Sequence, residues 1–143
     1  MYTTLLAKIA ATLEKVKVSG ELADYFNYPK TKLDAYPAVY FQPAGFTNSF
    51  ETETQNRKQY RFLLMVIVNK SGTTTEEIFT TVLPNVVDAI VAQFDADWDQ
   101  GTVDGGRVWA KLDTADPWDF DEAQDGLTAY APMNLEIEVV SNN

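Results

Sequence analysis

The chain has 143 residues, with 21 Asp and Glu against 11 Lys and Arg, a formal net charge of -10, and neither histidine nor cysteine. Those two absences exclude disulfides, thiolate nucleophiles, thiolate zinc sites and an imidazole base, and the lack of thiols fits synthesis in a reducing compartment. An apolar fraction of 45% and an aromatic fraction of 13% argue for one folded domain spanning 1–143, long enough to remove roughly 70% of its unfolded surface from water.

Leu5, Leu6, Ile9, Leu13 and Val16 recur at helical spacing and predict an amphipathic N-terminal helix of about four turns, ending near Gly20. Glu21 to Asp34 is irregular and reads as a loop carrying buried aromatics from Tyr25, Phe26 and Tyr28. Ala38 to Gln42, between Pro37 and Pro43, is a short run of β-formers and predicts a strand closed by the second proline. Phe46, Asn48, Phe50 and Thr52 then alternate with Thr47, Ser49, Glu51 and Glu53, an extended polar arm toward Gln55 that is expected to order against a partner.

Lys58 to Asn69 predicts the central strand, alternating at first and apolar on both faces from Leu63 to Val68, so its second half should be covered on both sides. The longest uninterrupted apolar run, Phe62 to Val68, falls far short of the roughly 20 residues a bilayer span needs. The N-terminus also lacks a basic leader before an apolar stretch, so neither a membrane segment nor a signal peptide is expected.

After a turn at Ser71-Gly72, Thr73 with Glu76 and Thr74 with Glu77 form overlapping capping boxes that start a second helix. Its stripe of Ile78, Val82, Val86, Ile90 and Phe94, widened by Phe79, Leu83, Val87 and Val91, must lie on a sheet. Pro84 removes a helical hydrogen bond near Thr80 and predicts a kink or break. An acidic loop from Asp95 to Gly106, a strand from Arg107 to Leu112 and a second acidic stretch from Asp113 to Gly126 follow. Leu127 to Val139 alternates apolar and polar over 13 residues, a strand of about 44 Å, with Pro132 marking a sheet edge or bulge. The chain is therefore read as α+β, a mostly antiparallel β-sheet flanked by an N-terminal helix and a long, Pro-kinked second helix.

The charge is concentrated. Asp95, Asp97, Asp99, Asp104, Asp113, Asp116, Asp119, Asp121, Glu122 and Asp125 are answered in that stretch only by Arg107 and Lys111, which places a formal -8 of the total -10 there. Such a surface repels polyanions or meets a cationic partner. As a calcium loop, Asp95-Ala-Asp97-Trp-Asp99-Gln-Gly101 departs from the EF-hand at its sixth and twelfth positions, which hold Gln100 and Gly106 instead of glycine and glutamate. A carboxylate pair for glycoside hydrolysis would need one acid kept protonated by an apolar pocket, and carboxylates this dense favour full ionisation. The serines have no histidine base and no Gly-x-Ser-x-Gly elbow, and Gly101, Gly105 and Gly106 read as turn glycines. Arg57, Lys58 and Arg61 are too few to hold nucleic acid against the net charge; they read as salt-bridge partners for a neighbour's acidic segment or as ordinary strand charges. No catalytic residue, metal ligand or cofactor site is nominated, and the chain is not expected to be an enzyme.

Taken in order, the amphipathic helix, the Tyr36-Pro37-Ala38-Val39-Tyr40-Phe41 strand, the arm, the Arg57 to Val68 strand, the long helix from Thr74, the strand at Arg107 and the closing Leu127 to Ile137 strand resemble the tail terminator, or tail-completion, proteins of long-tailed bacteriophages. The resemblance covers nearly the whole chain and rests on element order, size and hydrophobic texture. It implies a virion structural protein at the head-proximal end of the tail, made in the bacterial host cytoplasm and assembled as a homohexameric ring. Such a ring caps the tail tube, stops its polymerisation and gives the head completion or connector protein a docking surface, while DNA passes through without tight binding and no membrane is involved. On that reading the ten acidic residues face the lumen or the next subunit, and Phe46, Phe50, Arg57, Lys58 and Arg61 lie at inter-subunit contacts. The alternatives are an acidic DNA mimic or other protein-binding module, another head–tail connector or tube component, and a carboxylate-based hydrolase.

Overall fold

The computed structural model describes residues 1–30, 32–50, 55–114, 116–123 and 126–142. Helix α1 spans Tyr2–Val18; strands β1 (Asp24–Phe26), β2 (Ala38–Phe50) and β3 (Gln55–Lys70) follow. A composite helix comes next, made of α2 (Thr75–Glu77), a π-helical segment (Ile78–Val82) and α3 (Leu83–Ala96). Strands β4 (Asp99–Val103), β5 (Gly106–Thr114), β6 (Asp119–Ala123) and β7 (Gly126–Asn142) complete the chain. All seven strands belong to one sheet in the order β1-β2-β3-β7-β5-β4, with β6 also paired to β7. Every pairing is antiparallel except β1 with β2.

Strand β7 organises the core, because its period of two places Leu127, Ala129, Ala131, Met133, Leu135, Ile137 and Val139 on one face, each at most 5% exposed. Opposite them on β3 stand Tyr60, Phe62, Leu64, Val66 and Val68. Against this face lie Leu5, Ile9, Leu13 and Val16 of α1 and Leu83, Val86, Val87, Ile90 and Phe94 of α3. Thr75–Ala96 matches a membrane span in length and in its mean hydropathy of 1.2, yet these core contacts account for its apolar stripe. The other, outer face carries Tyr40, Leu63, Met65, Tyr130 and Glu136 at intermediate exposure. There Lys30, Leu33 and Tyr36 from the segment before β2 line a cleft of about 340 Å³ with Tyr40, Ile67 and Tyr130, and Ile67 is 5% exposed. The second half of β3 is thus buried on its helix side, while on the outer side Ile67 is buried and Leu63 and Met65 are half-buried, so the expected cover on both faces is only partial.

Several expectations are corrected. Pro43 does not close β2: the strand continues to Phe50 through a register shift between Pro43 and Gly45. Proline is tolerated here because β1 pairs only with Ala38, Val39 and Tyr40, so from Phe41 onward β2 is an edge strand that can spare a donor. The presumed loop of residues 21–34 contains β1, and Tyr28 is 50% exposed. The acidic loop of residues 95–106 is largely a hairpin, β4 to β5, turned at Asp104 (φ 50°) and Gly105 (φ 79°). Paired positive φ values at Asp-Gly define a tight turn whose twist suits antiparallel strands. Within the second acidic stretch, β6 pairs with the start of β7.

Pro132 lies inside a strand paired along its length to β3, where it faces Met65. On the other flank β5 covers Met133 to Val140 and β6 covers Gly126 to Tyr130, so at Pro132 that flank has no strand among the described residues. At Pro84 the composite helix changes geometry, the π segment Ile78–Val82 giving way to α3 with Pro84 in its first turn.

Thr74 is the helix N-cap, its hydroxyl accepting from the Glu77 N–H at 3.1 Å. Thr74→Ala is expected to lower stability by about 1 kcal/mol, readable as a lower urea midpoint at unchanged slope.

Candidate functional site

The outer half of β2 is an exposed edge of the sheet. Residues 43–49 are exposed at every position, and their backbone pairs only with β3. The register shift after Pro43 sets Phe46 and Asn48 on the helix-bearing side of the sheet and Gly45, Thr47 and Ser49 on the outer side. Phe46 is 53% exposed and stacks on Tyr60 with ring centroids 5.6 Å apart. The Phe50 backbone pairs with Asn56, while its side chain and residues 51–54 lie outside the described residues. The arm is therefore ordered within the chain as far as Phe50, since β3 supplies the backbone partners that a separate protein was expected to supply.

The basic cluster divides between the faces. On the outer face, Arg57 pairs with Glu138 at 3.1 Å and Arg61 Nη1 donates to Thr47 Oγ1 at 2.8 Å. Lys58 lies on the other side, opposite Val139. The strand's period of two separates them, since residues 57 and 61 share one face and residue 58 has the other.

The acidic run is also distributed. Asp95 is exposed near the C-terminus of α3, and Asp97 caps that helix. Asp99 opens β4 opposite Trp109 and accepts from the Gly101 N–H at 3.0 Å. Asp104 sits in the β4–β5 turn, Asp113 is on the outer face of β5 opposite Asn134, and Asp116 is exposed before β6. Asp119 and Asp121 share the outer face of β6, opposite Tyr130 and Thr128, whereas Glu122 points to the helix side. Asp125 lies outside the described residues. Two aromatics lie among these acids: Trp118 stacks on Phe79 at 6.5 Å and Phe120 meets Phe79 edge-on at 5.6 Å.

Carboxylates whose titration is displaced are displaced downward. A hydrogen bond from Lys15 at 2.8 Å, supported by Gln93 at 3.0 Å, holds Asp97 below its ordinary value of 3.8, and Lys70 with Thr73 does the same for Glu77. Because the folded-state value of Asp97 is depressed, its ion pair stabilises the fold at neutral pH and is lost as pH falls through the carboxylate range. Lys15 is well exposed, so Asp97→Asn is expected to cost under about 1 kcal/mol at neutral pH. The gap to wild type should close in strong acid, which urea unfolding across a pH series would record. Upward displacement occurs at tyrosines: Tyr130 through burial and then Asp121, and Tyr25 to about 12 through its hydrogen bond to Glu14. Among the described residues no three acidic side chains come together with metal-binding geometry.

The fold defines an α+β protein whose single curled, mostly antiparallel sheet carries its helices on one face and leaves the outer half of β2 exposed along its edge. No family model and no curated protein matches the chain. Among solved structures it is similar to a chain of the virion of a native gene transfer agent particle, with a TM-score of 0.53 and 15% sequence identity over 96% of this chain and 95% of that one. The likeness is one of fold, and it runs from end to end of both chains.

Proposed function

We propose that this chain is a structural component of a phage-like virion and, within it, a tail terminator: a ring that caps the tail tube, stops its growth and presents a surface to the head. The observation that carries the reading is the end-to-end similarity of fold to a chain of a gene transfer agent virion. The exposed outer half of β2 supports it, since ring interfaces are heterologous and an exposed edge strand can meet a different patch on the next copy. So do the exposed carboxylates on β4, β6 and the turn between β4 and β5. Facing a lumen, they would repel DNA phosphates over about a Debye length and keep a passing genome from adhering. The function is structural and not enzymatic, assembled from copies of this chain together with tube and head-completion proteins.

The test is tube growth. Added to polymerising tube protein of the same particle, the purified chain should shorten the tubes in proportion to its concentration and be seen at one end only. Tubes of unchanged length, with no density added at their ends, would refute the terminator role.

A further inference from the structure

The sheet's exposed edges differ in chemistry. From Ala44 to Phe50 the β2 edge carries no charged residue, residues 44–49 are exposed, and among the described residues only β3 is paired to them. A long uncharged edge invites another strand, and proteins ordinarily guard such edges with charges, bulges or a covering element. Pro43 and the register shift guard only its beginning. On the opposite flank, β6 pairs with β7 alone, and its exposed Asp119, Asp121 and Glu122 repel a second copy of the same strand. Strand β4 is a poor alternative. It is irregular between Asp99 and Thr102, and its Gln100 carbonyl already accepts from Lys8 at 2.6 Å.

Arg61 ties the β2 edge to an acidic strand. It belongs to β3, one strand in from the edge, yet its guanidinium lies across β2. Nη1 reaches Thr47 at 2.8 Å, and Nη2 is 3.5 Å from the point a Cβ on residue 45 would occupy. Residue 45 is glycine with φ +113°, a backbone conformation that depends on the missing side chain, and the Arg61 guanidinium lies at ordinary contact distance beside it. A cation is thereby delivered to the outer side of a strand that has none of its own. On β6, Asp119 and Asp121 project to that same outer side. When a sheet continues from one copy to the next with the helices kept on one side, outer-face residues meet outer-face residues.

The geometry points to strand pairing between copies: the β2 edge of one chain joins β6 of a second chain, head to tail, with Arg61 seated against Asp119 and Asp121 of that second chain. This deepens the ring reading and rests on it, because one edge meeting a different edge is a heterologous contact.

The experiment is a charge exchange in the full chain, with ring mass read by light scattering and sedimentation at low and moderate salt. Both positions are exposed, and thermal unfolding of each variant checks that the fold is retained. Arg61→Asp alone and Asp119→Arg alone should each lower the ring fraction about tenfold at fixed concentration, since like charges then face each other, and the double exchange should restore it. Wild-type rings that tolerate both single changes, or single losses that the double exchange does not repair, would overturn the strand pairing and leave the ring reading standing. If wild type forms no ring even with tube protein, the ring reading falls and the pairing falls with it.

Discussion

Phe62→Ala is expected to destabilise the protein by about 3–5 kcal/mol. Phe62 is fully buried on β3, with Pro43 and Leu135 beside it on the neighbouring strands and the Tyr2 ring edge-on at 5.8 Å. It thus packs where β2, the central strands β3 and β7 and the start of α1 meet. Removing the ring forfeits the transfer free energy and leaves a cavity that strands fixed in register cannot close. Urea unfolding should show a much lower midpoint. A loss below about 1 kcal/mol would mean that the sheet relaxes around the gap and that this junction is softer than its packing indicates.

Gly126→Ala is the second large effect, and its cause is backbone geometry. Gly126 opens β7 at φ +121°, and a Cβ there would stand 2.9 Å from the Lys70 carbonyl oxygen and 3.1 Å from its carbon. Backbone cannot swing aside as a side chain can, so strain and clash combine to an expected cost above about 2 kcal/mol. Gly20→Ala provides the comparison: at φ +91° with no atom within 4 Å, it should cost only the left-handed strain of about 1–2 kcal/mol. Equal losses at the two positions in parallel thermal melts would contradict the steric account.

The parts legible in sequence were those written in a single period. The seven inward residues of β7 alternate without error, and the Thr74 cap announces itself because the hydroxyl and the Glu77 N–H are only three residues apart. The acidic stretch was misjudged because its charges masked the local signals. Asp104-Gly105 is a hairpin signature that two flanking short strands confirm, yet composition alone made the region read as loop. Strand β6, Asp119–Ala123, has three acids in five residues and owes its place to β7 and to Phe79 packing on Phe120. That is tertiary context overriding propensity. Pro43 misled in the same way, since a proline closes a central strand but not one whose outer edge is free.

The candidate surfaces were legible as residue types and not as faces. Arg57, Lys58 and Arg61 read as one patch in sequence and separate onto two sides in the sheet. The reach of Arg61 across Gly45 depends on a register shift that no spacing records. Gly45 stood in plain view between Pro43 and Phe46 as the one clue to a backbone irregularity there.

The measurement that bears most directly on the proposed role is the mass of the purified protein in solution by light scattering, with negative-stain imaging, at low and moderate salt. The expected result is a ring near six times the 16.0 kDa chain mass, or a monomer that forms such rings when tube protein is added. A monomer at every salt concentration that ignores tubes, and instead captures a basic DNA-binding protein in a salt-sensitive complex, would contradict the ring and make the acidic surface a mimic of DNA.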